Sequence, residues 1–263
     1  MTGELKFLLF FAVALTATSG CSNPQGSTSN IDSAFHPGIP SKITQIQTTP
    51  LGTQVSGATV SASFATKPTV GNAILLYTWA YDNAQTINIP ATSCTDNQGH
   101  VYRSAVVTVD SSGGTHLTTA ICYVTNIGIS TLPFTVTVAP TLGNAATQIE
   151  AMAVEYYGLA VNPVDKTAVS NGNSASAATG TTLVTTQNIE LVAAIINSGA
   201  SANPITFASL YNFITLTTQN DCSGFACGLA ETKTVSTTSP YVENWNVNAT
   251  AFYDTVIATF KAD

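Results

Sequence analysis

Apolar and polar side chains alternate along most of this chain in short runs, and no stretch of helical period interrupts them. Alternation sends successive side chains to opposite faces, which is what a half-buried strand requires. The runs come at even intervals from Ile43 onward: Ile43–Thr48, Ala58–Phe64, Ala73–Asp82, Val101–Val109, His116–Thr125 and Phe134–Val138 in the first half. Gln148–Tyr157, Thr181–Thr186, Ile189–Asn197, Leu210–Thr218, Gly228–Val235 and Phe252–Lys261 follow. Turn chemistry separates them at Asp96-Asn97-Gln98-Gly99, Ser111-Ser112-Gly113-Gly114, Gly143-Asn144 and Asn171-Gly172-Asn173. After the strand Gln148–Tyr157 the chain stops at Gly158 and is expected to turn through Asn162-Pro163 into a loop closed by Asp165. About a dozen strands with no shift in composition predict an all-β fold, a single two-sheet antiparallel β-sandwich over residues 43–263.

Charge narrows the function. Charged residues make up 8% of the 263, against roughly 25% in an average soluble protein. The surface must therefore be wetted by Thr, Ser, Asn and Gln. With seven Lys and Arg in all and a net charge of −7, nothing is available to neutralise a phosphate backbone, which excludes a nucleic-acid partner.

The first twenty residues read as an export leader. Lys6 precedes the apolar run Phe7–Ala17, which is too short to span a bilayer and has the length of a signal-peptide core. Small residues then lead to Cys21, as in Thr18-Ser19-Gly20-Cys21, which resembles a bacterial lipobox with Thr18 in place of the usual leucine. Cleavage before Cys21 and lipidation of its thiol would make the protein an outer-membrane or cell-surface lipoprotein, touching the membrane only through that anchor. Ordinary secretion is the alternative. Residues 21–42, rich in Ser, Asn, Pro and Gly, read as a flexible tether.

Five cysteines is an odd number for an exported chain. With Cys21 lipidated, Cys94, Cys122, Cys222 and Cys227 remain, and an oxidising compartment would pair them. Cys222 and Cys227 bracket a short loop and are expected to bridge locally, leaving Cys94 to join Cys122 across two strands. Four free thiols are the alternative; a zinc site lacks CxxC or HxxxH spacing.

Several short motifs carry a resemblance. Thr95-Asp96-Asn97-Gln98-Gly99-His100-Val101-Tyr102 looks like the TDSxGNxY turn of a family of secreted bacterial β-sandwich domains, and Cys122-Tyr123-Val124-Thr125-Asn126 like its YYAxN strand end. Glu155-Tyr156-Tyr157-Gly158-Leu159 with Pro163-Val164-Asp165 resembles its EYSGL…PLD signature. Asn171-Gly172-Asn173-Ser174 and Ile189-Glu190-Leu191 fall where it has GNS and NEL. The resemblance implies a jelly-roll-like sandwich on exported or surface proteins, without a settled activity. His100 stands where the family has Asn, which puts the turn hydrogen bond of that amide in doubt.

Catalytic constellations are sparse. Glu150 and Glu155, five apart on one strand, project to opposite faces and cannot flank one glycosidic bond. Asp82, Asp96, Asp110 and Asp165 sit near expected turns, where carboxylates cap backbone amides. The same placing suits calcium, although no EF-hand or nonapeptide motif is present. No G-x-S-x-G elbow, phosphate loop or dinucleotide fingerprint occurs, and His36, His100 and His116 lie in a tether, a turn and a strand start.

The sharpest binding feature is Tyr77, Trp79 and Tyr81, which share one face of a strand about 6–7 Å apart. Exposed, such a row would stack on sugar rings; covered, it would be core, with its polar tips satisfied. The sequence therefore reads as a surface-anchored, non-catalytic binding or adhesion module for a glycan or another surface protein. A glycan-active hydrolase and a self-associating subunit of a surface layer or fibre are the alternatives.

Overall fold

The structure is a computed structural model and describes residues 42–55, 59–82, 84, 86–111, 116–141, 148–199, 206–216 and 227–263. These fall in one compact unit, Gly38–Asp263. The expected leader, Cys21 and all of the tether but its last residue lie outside them. Among the described residues the chain is all-β, with fourteen strands and one 3-10 turn at Ala91–Ser93.

A five-stranded antiparallel sheet forms the middle layer. Its spatial order is β1 (Thr44–Val55), β8 (Gln148–Tyr157), β3 (Ala73–Asp82), β6 (His116–Val124) and β5 (Arg103–Asp110). On one face lies a six-stranded sheet. It runs β11 (Phe207–Ser209), β14 (Asn244–Ala262), β10 (Glu190–Gly199), β13 (Cys227–Val235) and β12 (Ile214–Thr215), with β9 (Leu159–Ala178) paired to β14. On the other face sits a small sheet of β2 (Val60–Ser63), β7 (Thr135–Val138) and β4 (Cys94–Asp96). The two large sheets make the expected sandwich, and the third sheet adds a layer that alternation alone does not reveal.

That extra layer explains why β3 is buried at all ten positions. Ile74, Leu76 and Ala80 pack against Val60, Phe134, Val136 and Val138 of the small-sheet side. Leu75, Tyr77 and Trp79 pack against Leu191, Ala193, Ile195 and Val256 of the six-stranded sheet. Each large apolar side chain buried in this way stabilises the fold by roughly 1.5–3 kcal/mol. Cys94 and Cys122 are joined, with Cα atoms 6.5 Å apart, and so tie the small sheet to the middle one. Cys227 is disulfide-bonded, while its expected partner Cys222 lies outside the described residues.

The six-stranded sheet covers its own outer face. Pairing along β9 and β14 jumps from Asn246↔Ser176 to Ala251↔Ser174, a bulge that bends the ribbon. The Thr255 hydroxyl is 2.8 Å from the carbonyl oxygens of both Ser170 and Ala178, so β9 doubles back on itself. The folded ribbon lays Ala177, Trp245 and Val247 over Val192, Ala194 and Ile196. β10 is thereby buried on both faces, which suits its unbroken apolar run.

Four local expectations are corrected. Asn162-Pro163 and Asn171-Gly172-Asn173 are not turns; both lie inside β9. Pro163 is tolerated there because β9 hydrogen-bonds to β14 along one edge only. Gly172 faces Tyr253, whose hydroxyl fills the space a side chain would take: a Cβ there would lie 2.8 Å from it. Thr181–Thr186 is no strand but an extended cover segment, with Thr182 and Thr185 donating their amides to the Tyr241 and Ser239 carbonyls. Within Leu210–Thr218 only Ile214–Thr215 is strand, and residues 217 and 218 lie outside the described residues.

Candidate functional site

The row Tyr77, Trp79 and Tyr81 is not a platform. Their exposures are 0%, 1% and 9%, because the six-stranded sheet closes over the face they share. Trp79 donates its indole N–H to Glu150 Oε2 at 3.0 Å, and the Tyr77 and Tyr156 hydroxyls are 3.2 Å apart. β13 crosses so closely that a Cβ on Gly228 would lie 2.2 Å from the Trp79 ring. A sugar ring cannot reach these side chains, and they serve the core.

The carboxylates divide by what they hold. Glu155 is fully buried on the opposite side of β8 from Glu150 and accepts from Gln47 Nε2, the Thr69 amide and Asn72 Nδ2. Asp82 accepts from the Ala84 amide at 2.7 Å. Asp96 accepts from the Gln98 and His100 amides, and its second oxygen lies 3.0 Å from His100 Nδ1. The imidazole thus ties the turn where the resembling family has an amide. Asp165 receives the Thr186 amide and hydroxyl and Lys166 Nζ. Burial pushes its pKa up, but these donors outweigh burial and hold it at about 2. Glu190 beside it is pushed up to about 7 by burial and by the Asp165 charge.

Glu231 and Glu243 form the pair closest to acid–base chemistry. Burial raises both, and the charge of Glu231 raises Glu243 further. Glu231 accepts from Trp245 Nε1 at 2.8 Å and Thr215 Oγ1 at 3.1 Å. Glu243 Oε1 accepts from Ser209 Oγ and the Leu210 amide. At 1% and 0% exposure, neither carboxylate can touch a substrate in this conformation. Their geometry holds the segment Ser209–Thr215 in place.

That segment presents the exposed aromatic face. Tyr211 is 44% exposed, and its hydroxyl accepts from Asn244 Nδ2 at 3.1 Å. Lys233 Nζ donates to the Tyr211 carbonyl at 2.8 Å and lies 5.8 Å from the centre of the Phe213 ring. Phe213 and Tyr241, both half-buried, pack on the same cluster beneath. The Tyr241 hydroxyl donates to the Thr237 carbonyl, and its amide donates to Thr182. An exposed tyrosine ring with an amide group at its hydroxyl edge can stack on a sugar and hydrogen-bond its hydroxyls.

Sequence reasoning passed over Tyr211, Phe213 and Tyr241. The one available signal was that Tyr211 and Phe213 share a face if Leu210–Thr218 is read as a strand. Among the described residues no group of three or more His, Cys, Asp or Glu is placed to hold a metal. Comparison with family models, curated proteins and solved structures finds no match for this chain.

Proposed function

We propose that the chain is an extracytoplasmic, non-catalytic binding module for a glycan, held at the cell surface through Cys21, with Tyr211, Phe213 and Tyr241 as its ligand face. The observation that carries this reading is the exposed Tyr211 ring, fixed by Asn244 and Lys233 on an otherwise almost uncharged surface. The Cys94–Cys122 bridge supports an oxidising compartment. Screening the protein on a glycan array tests the ligand class: retention of defined oligosaccharides is expected, and no retention would remove the reading. Anchoring is tested separately. Wild-type protein should partition into detergent and label with palmitate, Cys21→Ser should do neither, and equal labelling would remove the anchor. The Glu231–Glu243 pair is buried and does not favour a hydrolase, and release of products from a retained glycan would overturn the non-catalytic part of the reading.

A further inference from the structure

We propose that one end of the middle sheet is a membrane-docking surface, which lies on the bilayer that holds Cys21. Pairing of Thr44 with Tyr157, Ala73 with Tyr156, Ile74 with Val124 and Arg103 with Tyr123 brings one terminus of all five strands to that end. Three connections, residues 64–72, 97–102 and 125–134, meet there with the start of β9 at Leu159. They are tied to one another. The Gly71 amide donates to the Ile127 carbonyl, and the Ile127 amide to the Asn72 carbonyl. Asn97 Nδ2 donates to the Pro133 carbonyl at 2.7 Å, Thr131 Oγ1 to Gln98 Oε1 at 3.1 Å, and Thr125 Oγ1 to the Val161 carbonyl at 2.8 Å.

These fixed connections hold apolar side chains out in water. Ile129 and Val101, 89% and 81% exposed, are the two most exposed large apolar residues among the described ones. Val70, Leu132 and Val161 are each more than half exposed. Val101 and Val161 line one pocket together with Arg103, Tyr123 and Thr125, so tips from two segments adjoin. A lone exposed valine needs no explanation, but five such tips on connections that bond to one another form a patch.

Charge at this end complements a lipid surface. Lys42, Lys67 and Arg103, three of the seven Lys and Arg in the chain, are exposed here. Asp96 is taken up by the Gln98 and His100 amides, and Glu155 by the Thr69 amide and Asn72. Asp263, whose amide donates to the Gly158 carbonyl, is the exposed acid beside them. Apolar tips among cations match a bilayer interface: the tips enter the boundary between headgroups and acyl chains, and the cations meet the phosphates. The position of the anchor selects a bilayer over a protein partner. The chain enters the domain at this end, at Lys42, whose carbonyl lies against Gly158, and residues 22–41 alone separate it from Cys21. The inference therefore rests on the Cys21 anchor.

The test is tryptophan fluorescence of the full chain in vesicles of equal parts phosphatidylcholine and phosphatidylglycerol, with and without bromine on the lipid chains near the headgroup. Trp79 and Trp245 are buried, so the wild type supplies the background. Ile129→Trp should shift to the blue and lose emission to the brominated lipid. Val109→Trp, at the other end of β5 and roughly 20 Å away, should do neither. Adding Lys67→Gln to Ile129→Trp should lower the ratio of docked to free domain by roughly fivefold. Palmitate labelling is read on the same samples. Labelling with equal emission of Ile129→Trp in both vesicles would overturn the docking surface and leave the anchor standing, and absence of labelling and quenching together would remove both. Dimers in place of quenching would assign the tips to a second copy of the chain and overturn the docking. Should Ile129→Trp fail to fold, Val101→Trp carries the same comparison. The readout is independent of any glycan, so its failure leaves the ligand-face reading standing.

Discussion

Trp79 shows what the residue scale decides. Its ring is closed in by Gly228 on β13, and its indole N–H is taken by Glu150. Trp79→Ala should lower stability by roughly 3–5 kcal/mol, through lost burial and the cavity left behind. Trp79→Phe should cost less but still measurably, since Glu150 Oε2 loses its donor. Gly228→Ala adds a single carbon 2.2 Å from the indole and should destabilise as well, although alanine suits a strand better than glycine. For a domain of this size the Trp79→Ala change corresponds to a fall of roughly 6–20 °C in melting temperature. A melt of Trp79→Ala within a degree or two of wild type would mean that the row is exposed after all. The sequence showed that Tyr77, Trp79 and Tyr81 share a face, because alternation is a local property of a strand. It could not show what covers that face, because the cover comes from β10, β13 and β14, more than a hundred residues further along the chain.

At the scale of elements, the strands with strong alternation and glycine or aspartate at their ends were legible. Ala73–Asp82 and Gln148–Tyr157 match β3 and β8 residue for residue. β9 was not legible, since it carries Pro163, Gly172 and three asparagines, all of which read as turn residues. It remains a strand because β14 pairs along nearly its whole length and Tyr253 covers Gly172, a tertiary effect that overrides local preference. The third sheet was hidden for another reason: Ala58–Phe64 and Phe134–Val138 mark β2 and β7, but alternation does not say which strands pair, and the three-residue β4 gives no pattern to read. Their attachment leads to a prediction. The Cys94–Cys122 bridge closes a loop with a sequence separation of 28, and in the chain-entropy model its loss costs roughly 3–4 kcal/mol. In the Cys94→Ala/Cys122→Ala double variant, amide exchange should speed first in β2, β4 and β7 while β10 stays protected. Uniform loss of protection in all three sheets would contradict a separately attached small sheet.

For the whole molecule, buried acids set the dependence of stability on pH. Burial first, then the Asp110 charge, raises Asp254 to about 8, while burial and Asp165 raise Glu190 to about 7. Both bind protons in the folded state at pH values where the unfolded chain has released them. Their stabilising contribution is therefore complete below about pH 4 and is lost as pH rises through 7 and 8. Asp165, held at about 2, acts in the opposite sense, and its contribution is lost as pH falls below about 4 towards 2. The melting temperature should thus be highest near pH 4 and fall until about pH 8, and Asp254→Asn should flatten that fall. A melting temperature that rises steadily from pH 5 to 9 in wild type would contradict the buried, neutral state of these acids.

The proposed ligand face makes the remaining claim about the molecule as a whole: aromatic side chains inside the sandwich hold it together, and those outside it bind. The most direct measurement is a pair of readings on Tyr211→Ala, its affinity for an oligosaccharide retained by the wild type and its melting temperature. Stacking is worth about 0.5–1.5 kcal/mol beyond contact area, so affinity should fall by roughly tenfold or more while the melting temperature stays within a few degrees. Unchanged affinity in a variant that folds like wild type would contradict the account.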